Sequence, residues 1–295
     1  MRHAMAHTTP SITGIPHPPC TLATIAWVGV RELRDAVGTR WFALYTLAFA
    51  ALGLGVSFVS AAGSGGQGLA GFGRTSAGLI NLVLLVVPLM ALSAGASSIA
   101  SDRERGMLAY LLAQPVSRTE LLLGKYLGLA VALLSCILLG LGLCGIVVGS
   151  RGGSLDASSI IWLAGLSLLL ALGMLATGML ISVVTRRASV ATGTAVFLWL
   201  SLVFGTDLAL MAGTLTFRLR IEELFALSLI NPLQVFKMWS LHAIDSTLAV
   251  LGPAALYAVE EHGNGLHGLF ALCLGLWILL PLTLACVLFS RKGAS

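Results

Sequence analysis

Four consecutive ionisable side chains, Asp102, Arg103, Glu104 and Arg105, stand between two long apolar runs in a chain where only 10% of residues are charged. Mixed charge beside a membrane makes charge-assisted hydrogen bonds to a second protein, which is docking chemistry rather than bond-breaking chemistry. Candidates for catalysis are few. All six His fall in the N-terminal tail or beyond the fifth apolar run, away from any Ser or Cys inside the runs, so no nucleophile with an adjacent base is expected. Met238 and His242 are four apart, His262 and His267 follow, and thioether and imidazole are ligands that suit copper. Two residues on one helix face are not a site, and interfacial packing of Met238 beside a solvated His242 is the plainer account. No metal site is expected. Cys136, Cys144, Cys273 and Cys286 lie in apolar runs without C-x-x-C spacing, and Cys20 lies in the tail, so no disulfide is expected either.

The elements that must position the charged run can be read from its flanks. Ser101 with Glu104 three residues on has the pattern of a capping box, and Asp102 and Glu104 would favour a helix N-terminus there. Leu108, Leu111 and Leu112 then form one apolar stripe, and Pro115 forbids continuation, so a short helix over 102–114 is predicted. Ser117 and Glu120 make a second capping box that restarts a helix ahead of the apolar run from Leu121. An ordinary capped loop would show the same spacing.

Composition sets the class. The 295-residue chain is 57% hydrophobic, with a mean hydropathy of +0.96, far from the roughly 25% charged content of soluble domains. It is an all-α integral membrane protein. Six charge-poor runs reach the roughly 20 residues that cross the hydrocarbon layer: about 41–60, 79–99, 121–149, 160–185, 189–206 and 266–289. Lys125, in the first turn of the third, would snorkel to the interface.

Residues 1–20 read as a disordered cytosolic tail, rich in Pro, His and Thr and without the apolar core of a signal peptide. From Leu22 the periodicity becomes helical, with Arg31, Glu32, Arg34 and Asp35 opposite Leu22, Ile25, Gly29 and Leu33. An interfacial helix over 21–38 is predicted under the first span, turning into the membrane at Arg40 and Trp41. With the N-terminus in the cytosol, 12 of the 17 basic residues fall inside and five outside, so both termini are expected in the cytoplasm. The net charge of +5 is then topological and needs no nucleic acid. No ionisable residue lies deep in a span, which argues against proton- or sodium-coupled transport and against an intramembrane enzyme. No G-x-x-x-x-G-K-[ST] occurs, so any ATP-driven work needs a separate ATPase.

Beyond the fifth span, Arg218, Arg220, Glu222, Glu223 and Lys237 are interspersed with apolar residues. Within this outer segment, 207–265, the part from Phe217 to Asp245 is predicted to be helical, amphipathic and divided in two at Asn231 and Pro232. It would dock a periplasmic partner or simply cover the membrane surface. The stretch 246–259, with Gly252 and Pro253, is too short to span and reads as a re-entrant or interfacial turn. Gly140, Gly145, Gly173, Gly178, Ser97 and Ser98 would allow helices to approach closely.

Glu104, Arg105 and Gly106, the leucine stripe, the Pro115 to Arg118 break and the Gly124 to Lys125 restart resemble the cytoplasmic loop of ABC exporter permeases of the second class, the ABC-2 type. Met107 departs from the Thr that many relatives carry there. The helix with Arg31 to Asp35 and Arg40 to Trp41 is similar to that family's elbow helix. The resemblance implies that 102–114 is a coupling helix seated in an ATPase groove, with Asp102, Arg103, Glu104, Arg105, Gly106, Leu108, Leu111 and Pro115 forming the ATPase-coupling element. A narrower similarity, N-P-L-Q-V-F-K-M-W from Asn231 and L-G-P-A-A-L-Y-A from Leu251, is to the permeases of nitrous oxide reductase maturation systems. That likeness implies a homodimer in the bacterial inner membrane, working with an ABC ATPase subunit (NosF-like) and a periplasmic β-helical protein (NosD-like). Copper-centre assembly would be its context, and a sulfur-containing species its cargo. ATP and magnesium would belong to the ATPase, leaving this chain without a cofactor and without enzymatic activity of its own. Arg218, Arg220, Glu222, Asn231, Pro232, Lys237 and Trp239 are the candidates for docking the periplasmic partner. The rival reading is a non-transporting membrane scaffold that anchors an assembly factor through this outer segment, for which the Glu104 region would not matter.

Overall fold

A computed structural model describes residues 22–63, 68–113, 116–150, 157–215, 220–243 and 265–291. Among them every regular element is a helix: α1 (Leu22–Gly38), α2 (Arg40–Gly63), α3 (Gly68–Glu104), α4 (Met107–Leu112), α5 (Arg118–Ser150), α6 (Ala157–Val184), α7 (Ala188–Leu215), α8 (Ile221–Ile230), α9 (Pro232–Ala243) and α10 (Leu266–Arg291). Backbone groups facing hydrocarbon must be satisfied within their own segment, and helices this apolar are the solution a membrane permits. Five of them, α3, α5, α6, α7 and α10, are each long and apolar enough to cross a bilayer. Two further apolar pairs are bent, α1 with α2 by 65° and α8 with α9 by 111°, so the count rises to as many as seven if each bent pair is one span. The multi-span helical class therefore holds, with α2 entering only together with α1.

The core lies between α3, α5 and α6, where Leu92, Ile99, Leu122, Leu133, Leu170, Met174 and Leu175 are fully buried. Two glycine contacts bring backbones together. A Cβ at Gly95 would lie 2.6 Å from the Leu175 carbonyl oxygen and one at Gly178 would lie 2.5 Å from that of Leu92, so α3 and α6 touch without intervening side chains. On the other side, Gly124 and Gly128, four apart on α5, receive α1: a Cβ at Gly124 would be 2.6 Å from that of Val28, and one at Gly128 would run into the Gly29 carbonyl. Small residues at this spacing let membrane helices approach closely. Gly178 takes part as expected, while the Gly124 and Gly128 pair carries a contact that was not among the sequence-based expectations.

Several local expectations are corrected. No helix starts at Ser101, because α3 is already running and continues to Glu104. Extending an existing helix costs far less than nucleating a new one, so the capping-box pattern is overridden. Gly106, at φ 72°, ends this stretch in the left-handed region that glycine adopts without strain. The short helix that follows is only the six residues of α4. The second capping box does form: the Ser117 N–H donates to Glu120 Oε2 at 2.8 Å and the Glu120 N–H to Ser117 Oγ at 3.2 Å. α7 runs on to Leu215, eight residues past the position where the outer segment was expected to begin. The division at Asn231 and Pro232 is present as the break between α8 and α9. Residues 1–20, the 246–259 stretch, Pro115, Arg218 and His262 lie outside the described residues.

Candidate functional site

The charged run at the end of α3 distributes its side chains among different helices. Asp102 Oδ2 lies 2.8 Å from Lys125 Nζ in the first turns of α5, and the same ammonium lies 2.7 Å from Glu32 Oε2 on α1. Lys125 does not snorkel: its side chain is 5% exposed, between two carboxylates that compensate it. Arg103 Nη1 donates to the Thr185 carbonyl at 2.6 Å, just past the end of α6. Glu104 Oε2 accepts the Ala188 N–H at 3.1 Å, satisfying a free amide at the start of α7. Three successive side chains thus join α3 to α5 and α1, to the end of α6, and to the beginning of α7.

Just above this clasp the α3 backbone is itself engaged. Ser182 on α6, fully buried, accepts the Ile99 N–H at 3.0 Å and the Ala100 N–H at 2.8 Å through its hydroxyl oxygen. The Ser98 hydroxyl donates to the Gly95 carbonyl at 2.9 Å and that of Ser97 to the Ser93 carbonyl at 2.9 Å. A side chain entering the helical ladder is a recognised place for a helix to bend.

Beyond Gly106 the chain projects outward. Leu108 and Leu111 of α4 are buried against the bundle, as the leucine stripe requires, while Arg105, Gly106 and Ala109 are exposed. Met107 is 42% exposed and Tyr110 66% exposed. α4 and the turn before it therefore present an uncovered face bearing the Arg105 guanidinium, the Met107 thioether and the Tyr110 phenol. Of the residues expected to form the coupling element, Asp102, Arg103 and Glu104 are occupied within the chain. Leu108 and Leu111 anchor α4, and Arg105 with Gly106 stays at the surface. Met107, Tyr110, Glu32 and Lys125 were missed as members of this site. Lys125 was visible as a lone charge in an apolar run, but its partners are 93 and 23 positions away in the sequence, beyond any periodicity.

At the opposite end of α3 and α7, Asn231, Pro232 and Trp239 turn out to be internal. The Asn231 amide donates to the Leu202 carbonyl at 2.6 Å and to the Thr206 hydroxyl, and its carbonyl accepts the Leu233 N–H at 2.9 Å. Trp239 Nε1 donates to His267 Nδ1 at 2.9 Å. Asn231 and Pro232 shape the α8–α9 corner while Trp239 packs on α10, and all three are buried, which corrects their assignment as contact residues for a partner. Lys237 is half-buried beside a cavity of about 160 Å³ also lined by Asn81, Asp207 and Gln234. Arg220 and Glu222 are exposed, and the Glu223 carboxylate accepts the Arg220 N–H at 2.9 Å at the start of α8. The Trp239 N–H occupies His267 Nδ1, so Met238, His242 and His267 do not present a ready ligand set. Among the described residues no group of three His, Cys, Asp or Glu could hold a metal ion.

Residues 24–294 match the family described as ABC-2 family transporter protein. The chain is 31% identical over 281 residues to a protein of Pseudomonas aeruginosa named "Probable ABC transporter permease protein NosY", covering 91% of this chain and 98% of that one. To the protein of the same name from Stutzerimonas stutzeri it is 29% identical over 268 residues, covering 89% and 96%. The resemblance drawn from the Glu104 to Lys125 loop and from the Asn231 segment is thereby borne out.

Proposed function

The chain belongs to the ABC-2 family of transporter proteins, and from that premise we propose that it is the membrane permease subunit of an ATP-driven ABC exporter in the bacterial inner membrane, with both termini in the cytoplasm. The observation that carries this reading is α4 with the turn before it, anchored by the buried Leu108 and Leu111 and presenting Arg105, Met107 and Tyr110 to solvent at a corner where α3 grips four other helices. An ATPase subunit pressing on this face would move α3 and α5 together. ATP closure of two such subunits on a permease dimer would then switch the spans between inward- and outward-facing arrangements, a two-state element biased by a ligand that the permease never touches. α1 acts as the elbow helix at the cytoplasmic surface and α2 as the first of six spans, which the 65° bend between them supports. ATP and magnesium reside in the partner.

The narrower reading extends the resemblance carried by the Asn231 and Leu251 segments. The chain serves nitrous oxide reductase maturation, exporting a sulfur-containing species used for copper-centre assembly. Its partners are a NosF-like ATPase inside and a NosD-like β-helical protein outside, the latter docking on Arg220 and Glu222 near the start of α8. Affinity purification of the chain tagged at Ser295 from its native membrane, followed by mass spectrometry, tests both levels. Recovery of an ABC ATPase with a periplasmic β-helical protein supports the full reading. Recovery of an ATPase alone leaves a permease of another system, and recovery of neither favours a scaffold without energy coupling.

A further inference from the structure

We propose that Lys125 is a positioning residue, making α1, the first turns of α5 and the α4-bearing end of α3 move as one body when α4 is pushed; the proposal rests on the permease reading above. Lys125 is one of the few charged side chains buried in the bundle, and it lies 2.7 Å from Glu32 Oε2 and 2.8 Å from Asp102 Oδ2. Its two acidic partners are 17% and 19% exposed. Replacing a buried ion pair by apolar residues of similar size is often neutral or stabilising, so stability is a poor reason for such a cluster. What the cluster does fix is relative position. A single ammonium shared by two carboxylates is satisfied only while α1 and the end of α3 stay in register across α5.

The backbone contact reinforces the same joint. Gly29 of α1 sits against Gly124 and Gly128 of α5, where a Cβ at Gly29 would be 3.3 Å from the Gly124 carbonyl oxygen. Close backbone packing leaves little freedom for sliding, because packed helices shift between discrete arrangements rather than deform continuously. Asp102 follows as the side chain that couples the end of α3 to this pair, two residues before the helix ends and five before α4 begins. Sequence proximity to the docking face suggests an ATPase contact for Asp102, whereas its geometry points inward.

The test uses the full chain with the ABC ATPase that copurifies with it, reconstituted in lipid nanodiscs. Spin labels are placed on Trp27→Cys in α1 and Ala113→Cys just after α4, with the native cysteines replaced by Ala. With both labels on one protomer and an unlabelled partner protomer, the distance distribution in the parent chain is expected to be the same without nucleotide and after trapping with MgATP and vanadate. In the charge-free variant Glu32→Gln/Asp102→Asn/Lys125→Met the ATPase should still copurify. The two distributions should then differ, and permease-dependent stimulation of ATP hydrolysis should fall by about fivefold or more, the low end of typical coupling between sites. Asp102→Glu, which keeps the carboxylate, should retain stimulation. A label distance that changes on trapping in the parent chain overturns the proposal, as does a charge-free variant with parental stimulation and distances. Should the charge-free variant not fold, the parent-chain distances and Asp102→Glu still decide. Absence of any copurifying ATPase would overturn the permease reading, and this proposal with it, whereas the two preceding results overturn this proposal alone.

Discussion

Glu104 accepts the Ala188 N–H at 3.1 Å, so the last residue of α3 caps the first turn of α7, 84 positions further along the chain. A carboxylate at a helix N-terminus also lies favourably in the helix dipole. Glu104→Lys reverses that charge and removes the acceptor, and is expected to lower thermal stability by about 1 kcal/mol, as loss of a cap does. ATPase association should weaken at the same time, because the α4 face is carried on this corner. Copurification and thermal unfolding in detergent check the two effects. Unchanged ATPase association and transport in the variant would remove the corner from the coupling element.

Gly106 has a φ of 72°, and a Cβ added there would meet nothing within 4 Å, so the requirement for glycine is one of backbone conformation. Gly106→Val should cost about 1–2 kcal/mol through left-handed strain, and Gly106→Asn should cost less, because Asn visits that region more readily. Thermal unfolding of the two variants orders them.

Gly95 lies in a close backbone contact of α3 with α6, and its Cβ would meet the Leu175 carbonyl oxygen at 2.6 Å. Gly95→Ala should destabilise by about 1–3 kcal/mol, the range of overpacking in a close-packed interior. Gly142→Ala on α5, with open space at the corresponding position, should be neutral or slightly stabilising because Ala is the better helix former. Paired melting curves separate the steric effect from the propensity effect.

Ser182→Ala removes the oxygen that accepts the Ile99 and Ala100 N–H groups. Interhelical hydrogen bonds in membrane proteins are worth about 0.6–1.7 kcal/mol, and a loss of that size is expected. Amide hydrogen exchange should rise at Ile99 and Ala100 and not at the distant end of α3. Uniform exchange along α3 in the variant would contradict a local role.

The class is legible in the sequence because hydrocarbon demands long runs of apolar residues, and those runs are visible without any partner. Ser117 and Glu120 are also legible, since a capping box is closed within four residues. Ser101 and Glu104 carry the same local pattern and mislead, because a helix arriving from the membrane has already decided the conformation of Ser101. Lys125 can be seen as a charge out of place, but not as a link between Glu32 and Asp102, since nothing in local spacing brings three distant segments together. From sequence, Asn231 reads both as a break and, with its neighbours, as part of a docking surface. The break follows from proline chemistry, whereas the burial of Asn231 against Leu202 and Thr206 depends on the tertiary packing of α7.

The central claim is that α4 is where an ATPase subunit meets this permease. A photo-crosslinking amino acid placed at Tyr110 in the full chain, irradiated in native membranes and analysed by mass spectrometry, tests it most directly. The account predicts an adduct with an ABC ATPase from position 110, and none with that ATPase from the same probe at Glu222 on α8. Adducts from position 110 that contain only lipid or this chain, or an ATPase adduct from position 222 instead, would contradict it.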